Sequence, residues 1–232
     1  MNFSSASGLA IDCPPWRLSG LVLGCLMNDP EALAALGDAV HAAPYKAPPS
    51  APVLYIKPRN TLAAADAAMR LHADVHALEV GVTVALVMAR SACRVSESQA
   101  LDHVAGFALL VDISVPHTSF YRPSVRFKAL DGSCRIGRVV ARNASVAAPV
   151  FEIDVEIDGQ RVQRSSTAGF TRQAVRLIGD VSAFMTLRAG DILMLGVAAD
   201  APQARAGQRV RVEAAGLGVI EFPIELAQES AT

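Results

Sequence analysis

The sequence is short of charge, of aromatic residues and of long apolar runs. Of its 232 residues only 19% are charged and 5% aromatic, and the formal net charge is −1. Such a balance lacks the basic surface that nucleic-acid binding requires. No stretch reaches the roughly 18 consecutive apolar residues of a membrane-spanning helix. We therefore expect neither nucleic acid nor a membrane as a partner.

Paired cysteines are also missing. The four cysteines lie in unrelated contexts and form no C-x-x-C motif, so buried or partly buried free thiols and a cytoplasmic protein are expected. What the chain does have is apolar residues, at 52%, enough for a sizeable core. Residues 1–17 are predicted to be a flexible N-terminal segment, and residues 18–232 one catalytic-type domain.

The periodicity favours strands over helices. Apolar runs predict strands buried on both faces at 80–89 and 107–115. Apolar and acidic residues alternate over 151–157 before Asp158-Gly159, which predicts a hairpin with one solvent-exposed face. Helices are expected at 30–41, from a capping box at Ser96 to about 106, and after Thr171. This count indicates a β-rich α+β fold.

One carboxylate stands out in the strand 107–115. Asp112 is the only charged residue there, and a buried carboxylate must be paired or must bind a ligand, because leaving it uncompensated costs several kcal/mol. Lys57, Lys128 and Arg126 are candidate partners. Two interpretations stay open, an internal salt bridge and an anion-binding pocket for a polycarboxylate.

Two other segments carry polar residues worth testing. His72 and His76 are four residues apart and Glu79 follows, a spacing that suits zinc on a helix. The segment leads directly into an apolar strand, however, so a solvated turn is favoured. Residues 116–138 read as a long irregular loop, and loops of this length in compact domains are usually functional.

Several strings resemble the fumarylacetoacetate hydrolase superfamily: Tyr45–Pro49, Lys57–Thr61, Asp112–Pro116, Ser119–Pro123 and Lys128–Gly132. The resemblance covers roughly residues 18–225 and implies a mixed β-roll of layered sheets with a few peripheral helices. It also implies an oligomer.

Within the superfamily the strings are most similar to the branch that acts in 4-hydroxyphenylacetate (homoprotocatechuate) catabolism. That similarity implies decarboxylation and isomerisation of 2-oxo polycarboxylates through an enolate. It implies catalytic roles for Lys128 and Asp112, with Asp112 either orienting Lys128 or acting as a base. The residues implied in substrate binding are Lys57, Arg59, Asn60, Tyr121 and Arg122.

The resemblance implies Mg²⁺, held in the superfamily by a Glu-x-Glu pair and an Asp. Here Gly81 and Thr83 occupy the two Glu positions and Asp112 alone remains, so Mg²⁺ binding is expected to be weak or absent. The chain thus resembles the non-metal half of a duplicated enzyme, and the implied partner is a metal-bearing paralogue in a hetero-oligomer, or further copies of itself. A structural subunit and a metal-independent tautomerase or hydrolase are the alternatives.

Overall fold

The computed structural model describes residues 20–117, 125–143 and 149–227. The predicted flexible segment 1–17 and the string Ser119–Pro123 lie outside these ranges. The strands are β1 (Val22–Leu26), β2 (Val53–Lys57), β3 (Leu62–Ala63), β4 (Met69–Leu71), β5 (Leu78–Met88), β6 (Val104–Ser114), β7 (Cys134–Ile136), β8 (Val140–Ala141), β9 (Glu152–Ile157), β10 (Gln160–Ser166), β11 (Ile192–Met194), β12 (Gln203–Ala204), β13 (Arg209–Ala214) and β14 (Gly218–Leu226).

The larger sheet runs in the order β2-β1-β11-β5-β6-β7-β3, and β12 and β8 add to β5 and β6. Its centre is the antiparallel pair β5 and β6, in which Gly81 lies opposite Asp112. Both strands are buried along almost their whole length, as their apolar runs predict. Because opposite residues of an antiparallel pair share a face, the positions Gly81 and Asp112 face the same side of the sheet.

This sheet is rolled. β2 and β6 are four strands apart in hydrogen-bonding order, which in a flat sheet would separate them by about 19 Å. Yet Lys57 Nζ on β2 lies 2.8 Å from Asp112 Oδ1 on β6. The chain closes the roll itself, since a 3₁₀ turn at Arg59–Thr61 carries it from β2 directly into β3, which pairs with β7 at the other end of the sheet. The mixed β-roll implied by the resemblance is confirmed.

A second sheet, ordered β10-β9-β13-β14-β4, packs against the roll. Side chains of β5 and β6 that point away from the roll's interior form the main core with those of the second sheet, among them Val82, Leu109, Val155, Val212 and Phe222. A smaller apolar cluster lies on the opposite face of the large sheet and includes Tyr55, Leu110 and Met194. The rolled sheet therefore buries both faces, and its polar residues stand out against an apolar background.

Arg135 on β7 links the two sheets from within the core. Its side chain is fully buried, donates to the carbonyls of Gly132 and Ala67, and stacks 4.2 Å from the ring centre of Phe222 on β14. Among the described residues no carboxylate pairs with it. Burial lowers the pKa of this guanidinium to about 10.

The helices are short and peripheral: α1 (Pro30–Ala34), α2 (Glu97–Ala100), α3 (Val125–Lys128) and α4 (Ala174–Ser182). The helix predicted over 30–41 was too long, because the positive φ of Gly37 interrupts it and a 3₁₀ turn follows at Gly37–His41. None of the helices in the described ranges is long and apolar enough to cross a membrane.

One of the two predicted caps is at the right position. Ser96 is the N-cap residue of α2, but its hydroxyl does not accept a backbone N–H of the helix and donates to Gln99 Oε1 instead. The prediction of Thr171 as the cap of α4 was wrong, since Gln173 is the N-cap residue. The hairpin was predicted correctly, with Asp158 and Gly159 both at positive φ, as a tight turn between twisted strands requires.

The segment 116–138 is less irregular than predicted. Its described part contains α3 and β7, and β7 joins the large sheet with Cys134 opposite Asp112. A strand of three residues gives almost no periodic signal, so only its long-range pairing reveals it. Cys25 and Cys134 are buried free thiols, as expected, whereas Cys93 is a free thiol that is exposed rather than buried or partly buried. Cys13 lies outside the described residues.

Candidate active site

Asp112 is the centre of a buried ion cluster. Its Oδ1 lies 2.8 Å from Lys57 Nζ, and its Oδ2 lies 3.4 Å from Lys128 Nζ and accepts a hydrogen bond from the Tyr55 hydroxyl. The side chains of Lys57 and Asp112 are fully buried, and that of Lys128 is 11% exposed. Two ammonium groups and one carboxylate leave the cluster with one unit of positive charge.

The electrostatics of the cluster fix the state of Asp112. Burial alone would raise the pKa of this carboxyl, but the charges of Lys128 and Lys57 outweigh burial and bring it below its ordinary value. Asp112 is therefore ionised at neutral pH. The pKa of Tyr55 is raised well above its ordinary value, first by burial and then by the negative charge of Asp112, so its hydroxyl stays a donor.

The cluster forms the floor of a cleft of about 370 Å³. The ends of β1, β5 and β6, the helix α1 and the segment after β11 form its walls. Asp112 and Tyr55 are buried, Glu79 is half-buried and Asp200 is exposed, so the cleft runs from a cationic floor to a rim that carries carboxylates. Helix α1 contributes Ala32 to the lining, and its C-cap residue contributes Ala35.

Of the predicted site residues, the structure brings Lys57, Asp112 and Lys128 together. Lys57 is committed internally, because its ammonium also donates to Ser133 Oγ and to the carbonyl of Lys128. The cation that faces the cleft is Lys128. The two interpretations of Asp112 thus describe parts of one arrangement, an internal salt bridge that holds a second cation at the floor of a pocket.

Two of the other predicted substrate-binding residues lie elsewhere. Arg59 and Asn60 are exposed on the 3₁₀ turn and do not line the cleft. Asn60 Nδ2 instead donates to the carbonyl of Ala129 and to Asp131 Oδ1, which ties the turn to the segment just after Lys128. Tyr121 and Arg122 lie outside the described residues. Substrate binding by these four residues stays a prediction.

The residues present do not fit a magnesium ion. Gly81 and Thr83 supply no carboxylate, and Thr83 Oγ1 accepts the amide of Gly196. A side chain at position 81 would come within 2.9 Å of a Val197 methyl group and even closer to the carbonyl oxygen of Asp112. Asp112 Oδ2 already accepts hydrogen bonds from Tyr55 and Lys128, and Oδ1 is ion-paired with Lys57, whereas Mg²⁺ requires several hard oxygen ligands in octahedral order.

Other candidate metal ligands do not replace the missing carboxylates. Glu79 lies on the same face of β5 as Gly81, but its carboxylate accepts a hydrogen bond from Ser114. His72 and His76 are exposed in a turn, as favoured from the sequence. No group of three or more His, Cys, Asp or Glu side chains within the described ranges could hold a metal ion. We derive no step of a reaction through a metal in this chain.

Tyr55 is the site residue that the sequence reasoning missed. It lies two positions before Lys57 on β2, and alternate residues of a strand share a face. That spacing could have placed Tyr55 beside the ion cluster once Lys57 was placed there. Its apolar ring made it look like an ordinary core residue.

A rolled mixed sheet with a cleft over a buried carboxylate is the fold of an enzyme that acts on small molecules. The chain matches the fumarylacetoacetate (FAA) hydrolase C-terminal family over residues 22–225 and belongs to that family. It is similar to the 4-hydroxyphenylacetate degradation bifunctional isomerase/decarboxylase of Escherichia coli, with 36% identity over 219 residues that cover 93% of this chain and 49% of the relative. The chain spans about half the length of the curated relatives it matches.

The matches to more distant relatives extend over most of the length of those relatives. The mitochondrial oxaloacetate tautomerase FAHD1 of Oryza sativa subsp. japonica is 28% identical over 190 residues, 78% of this chain and 83% of the relative. A solved structure of fumarylpyruvate hydrolase from Pseudomonas aeruginosa, in complex with Mn²⁺ and pyruvate, has a TM-score of 0.74 at 22% identity and covers 89% of this chain and 90% of its own. That likeness establishes the fold.

Proposed function

We propose that this chain is a subunit of a 2-hydroxyhepta-2,4-diene-1,7-dioate isomerase and 5-oxopent-3-ene-1,2,5-tricarboxylate decarboxylase of cytoplasmic 4-hydroxyphenylacetate catabolism. The observation that carries the proposal is the ion cluster, in which Lys128 presents the surplus positive charge of the buried site to a cleft. Both substrates are 2-oxo or enol polycarboxylates, whose anionic oxygens such a cation would bind. The 36% identity over nearly the whole chain supports the same assignment.

Both reactions pass through a conjugated enolate. In the decarboxylation a C–C bond to a carboxylate breaks, CO₂ leaves, and the electron pair spreads to the 2-oxo oxygen; a proton taken up on that oxygen gives the dienol. In the isomerisation one proton leaves the enol oxygen and one is added to the far carbon of the diene. In each case negative charge grows on an oxygen, and a fixed ammonium group close to that oxygen stabilises the charge.

Asp112 suits the orienting role better than the role of a base. A carboxyl whose pKa is lowered is a weak proton acceptor, and both of its oxygens already serve Lys57, Lys128 and Tyr55. Its work in the proposal is to hold Lys128 beside the substrate. The proton transfers then require another group, in this chain or in its partner.

The proposed partner is a metal-bearing paralogue with an intact Glu-x-Glu strand. The curated relatives are about twice as long as this chain, which gives room for a second such unit. In this scheme residues 18–232 form one domain of the assembly. A homo-oligomer of this chain alone is the simpler arrangement. The reconstitution experiment that follows distinguishes it from the complex with a paralogue.

The test reconstitutes the purified chain with and without the paralogue and follows both reactions by absorbance. We expect weak turnover by the chain alone and full turnover by the mixture. In the mixture, Lys128→Ala should lower kcat/KM about 100-fold or more, since one electrostatic donor to a growing oxyanion is worth that much. Arg90→Ala, which removes an exposed cation that does not line the cleft, is the matched control. Full turnover by the isolated chain that EDTA abolishes would contradict the proposal.

A non-catalytic structural subunit is the second candidate. The pairing of Asp112 with two internal lysines favours it, because a buried ion cluster can also serve to fix one conformation. On this alternative Lys128→Ala leaves the activity of the complex unchanged. A metal-independent tautomerase or hydrolase, suggested by the oxaloacetate tautomerase relatives, would show activity of the isolated chain in the presence of chelator.

A further inference from the structure

Tyr55 is a buried group in the site to which the proposed reaction assigns no role. Its ring packs directly against Gly24, its partner across the β1–β2 pair, and a Cβ added at Gly24 would overlap the ring. The ring therefore has a fixed position, which requires glycine at position 24. In that position the Tyr55 hydroxyl donates a hydrogen bond to Asp112 Oδ2.

The two oxygens of Asp112 differ in how tightly they hold a lysine. Oδ1 lies 2.8 Å from Lys57, whereas Oδ2, which also accepts the Tyr55 hydroxyl, lies 3.4 Å from Lys128. The Lys128 ammonium lies 4.8 Å from the centre of the Tyr55 ring, a cation–π distance. Lys128 thus has a long ion pair and an aromatic contact where Lys57 has a short ion pair.

We propose that Tyr55 is a positioning residue that keeps the Lys128 ammonium available to the cleft. Because Oδ2 already accepts a hydrogen bond from the Tyr55 hydroxyl, it attracts the Lys128 ammonium less strongly. Lys128 therefore does not form a short ion pair with the carboxylate. The face of the ring holds the ammonium at the floor of the cleft. Tyr55 acts on any bound anion only through Lys128, and its importance for catalysis rests on the proposed function.

The first experiment measures the availability of Lys128 directly. Cyanate carbamylates lysine side chains, and peptide mass spectrometry gives the rate at Lys128 in the full chain. Tyr55→Phe keeps the ring and removes the hydroxyl, so Lys128 should close onto Asp112 and react on the order of tenfold more slowly, as for loss of a hydrogen bond to a charged group. Tyr45→Phe, a tyrosine outside the cleft, should leave the rate unchanged.

The second experiment compares kcat and KM of the reconstituted complex. If Lys128 stabilises the enolate, Tyr55→Phe lowers kcat about tenfold and changes KM less, because the lost interaction matters most in the transition state. An equal or faster carbamylation rate in a folded Tyr55→Phe chain overturns the inference. A slower rate combined with no activity in the wild-type complex supports the inference and defeats the proposed function instead.

Discussion

The two sheets hold their ion pairs in opposite environments. In the rolled sheet the side chains of Asp112 and Lys57 are fully buried. On the outer face of the second sheet Asp154 and Arg164 pair at 2.6 Å, with side chains 27% and 57% exposed. The outer pair is the shorter, yet exposed pairs contribute only about 0–1 kcal/mol, whereas removing one partner of a buried pair costs about 3–5 kcal/mol. Burial rather than distance decides which charges matter.

The two regions also differ in how they arise. The outer pairs join neighbours on adjacent strands: Arg164 with Asp154, Arg211 with Glu156, and Arg209 with Glu221. Alternation of charged and apolar residues along each strand creates this face automatically. The inner cluster instead gathers β2, β6 and α3, and β2 and β6 are adjacent neither in sequence nor in hydrogen-bonding order.

The largest effect is expected from Asp112→Asn. The substitution keeps the shape but leaves the ammonium groups of Lys57 and Lys128 buried without a counter-charge, which should lower the free energy of unfolding by about 3–5 kcal/mol. Urea denaturation at neutral pH measures it. Asp154→Asn is the matched control on the outer face and should cost at most about 1 kcal/mol. Equal losses for the two variants would show that burial does not separate the regions.

The next expected effect is on the pH dependence of stability. The pKa of Asp112 is lowered in the folded state from its ordinary value of 3.8, so its contribution is complete above pH 3.8 and is lost as pH falls through the folded value. The difference in unfolding free energy between wild type and Asp112→Asn should therefore shrink below that pH. Denaturation at stepwise lower pH measures this, and a difference that grows on acidification contradicts the assignment.

The smallest expected effect on stability comes from removing the whole cluster. In Lys57→Met, Asp112→Leu, Lys128→Met the buried charges disappear together, and such replacements are often neutral or stabilising. The triple variant should unfold within about 2 kcal/mol of wild type, well above Asp112→Asn, and should have lost the activity of the complex. A triple variant as unstable as Asp112→Asn would mean that the cluster serves stability and not function.

Local signals predicted some elements well and others poorly, for physical reasons. The Asp158-Gly159 hairpin was predictable because its turn needs two residues at positive φ, and the sequence supplies them. Ser96 begins α2 as predicted, but its hydroxyl donates to the side chain of Gln99 and does not accept a backbone N–H. Phe184 continues the apolar period of α4 but is 66% exposed because the helix ends at Ser182.

The sequence by itself determined the chemistry available to the site. A single carboxylate in an apolar strand has to be compensated, and Lys57 and Lys128 were its evident partners; the absence of carboxylates at Gly81 and Thr83 was equally readable. Only the tertiary structure decided the assignments within the cluster. Rolling of the sheet brings β2 onto β6, buries Lys57, leaves Lys128 facing the cleft and places Tyr55 in contact with Asp112 and Lys128. Closure depends on pairings such as β3 with β7, and contacts this distant in sequence leave no local periodicity to read.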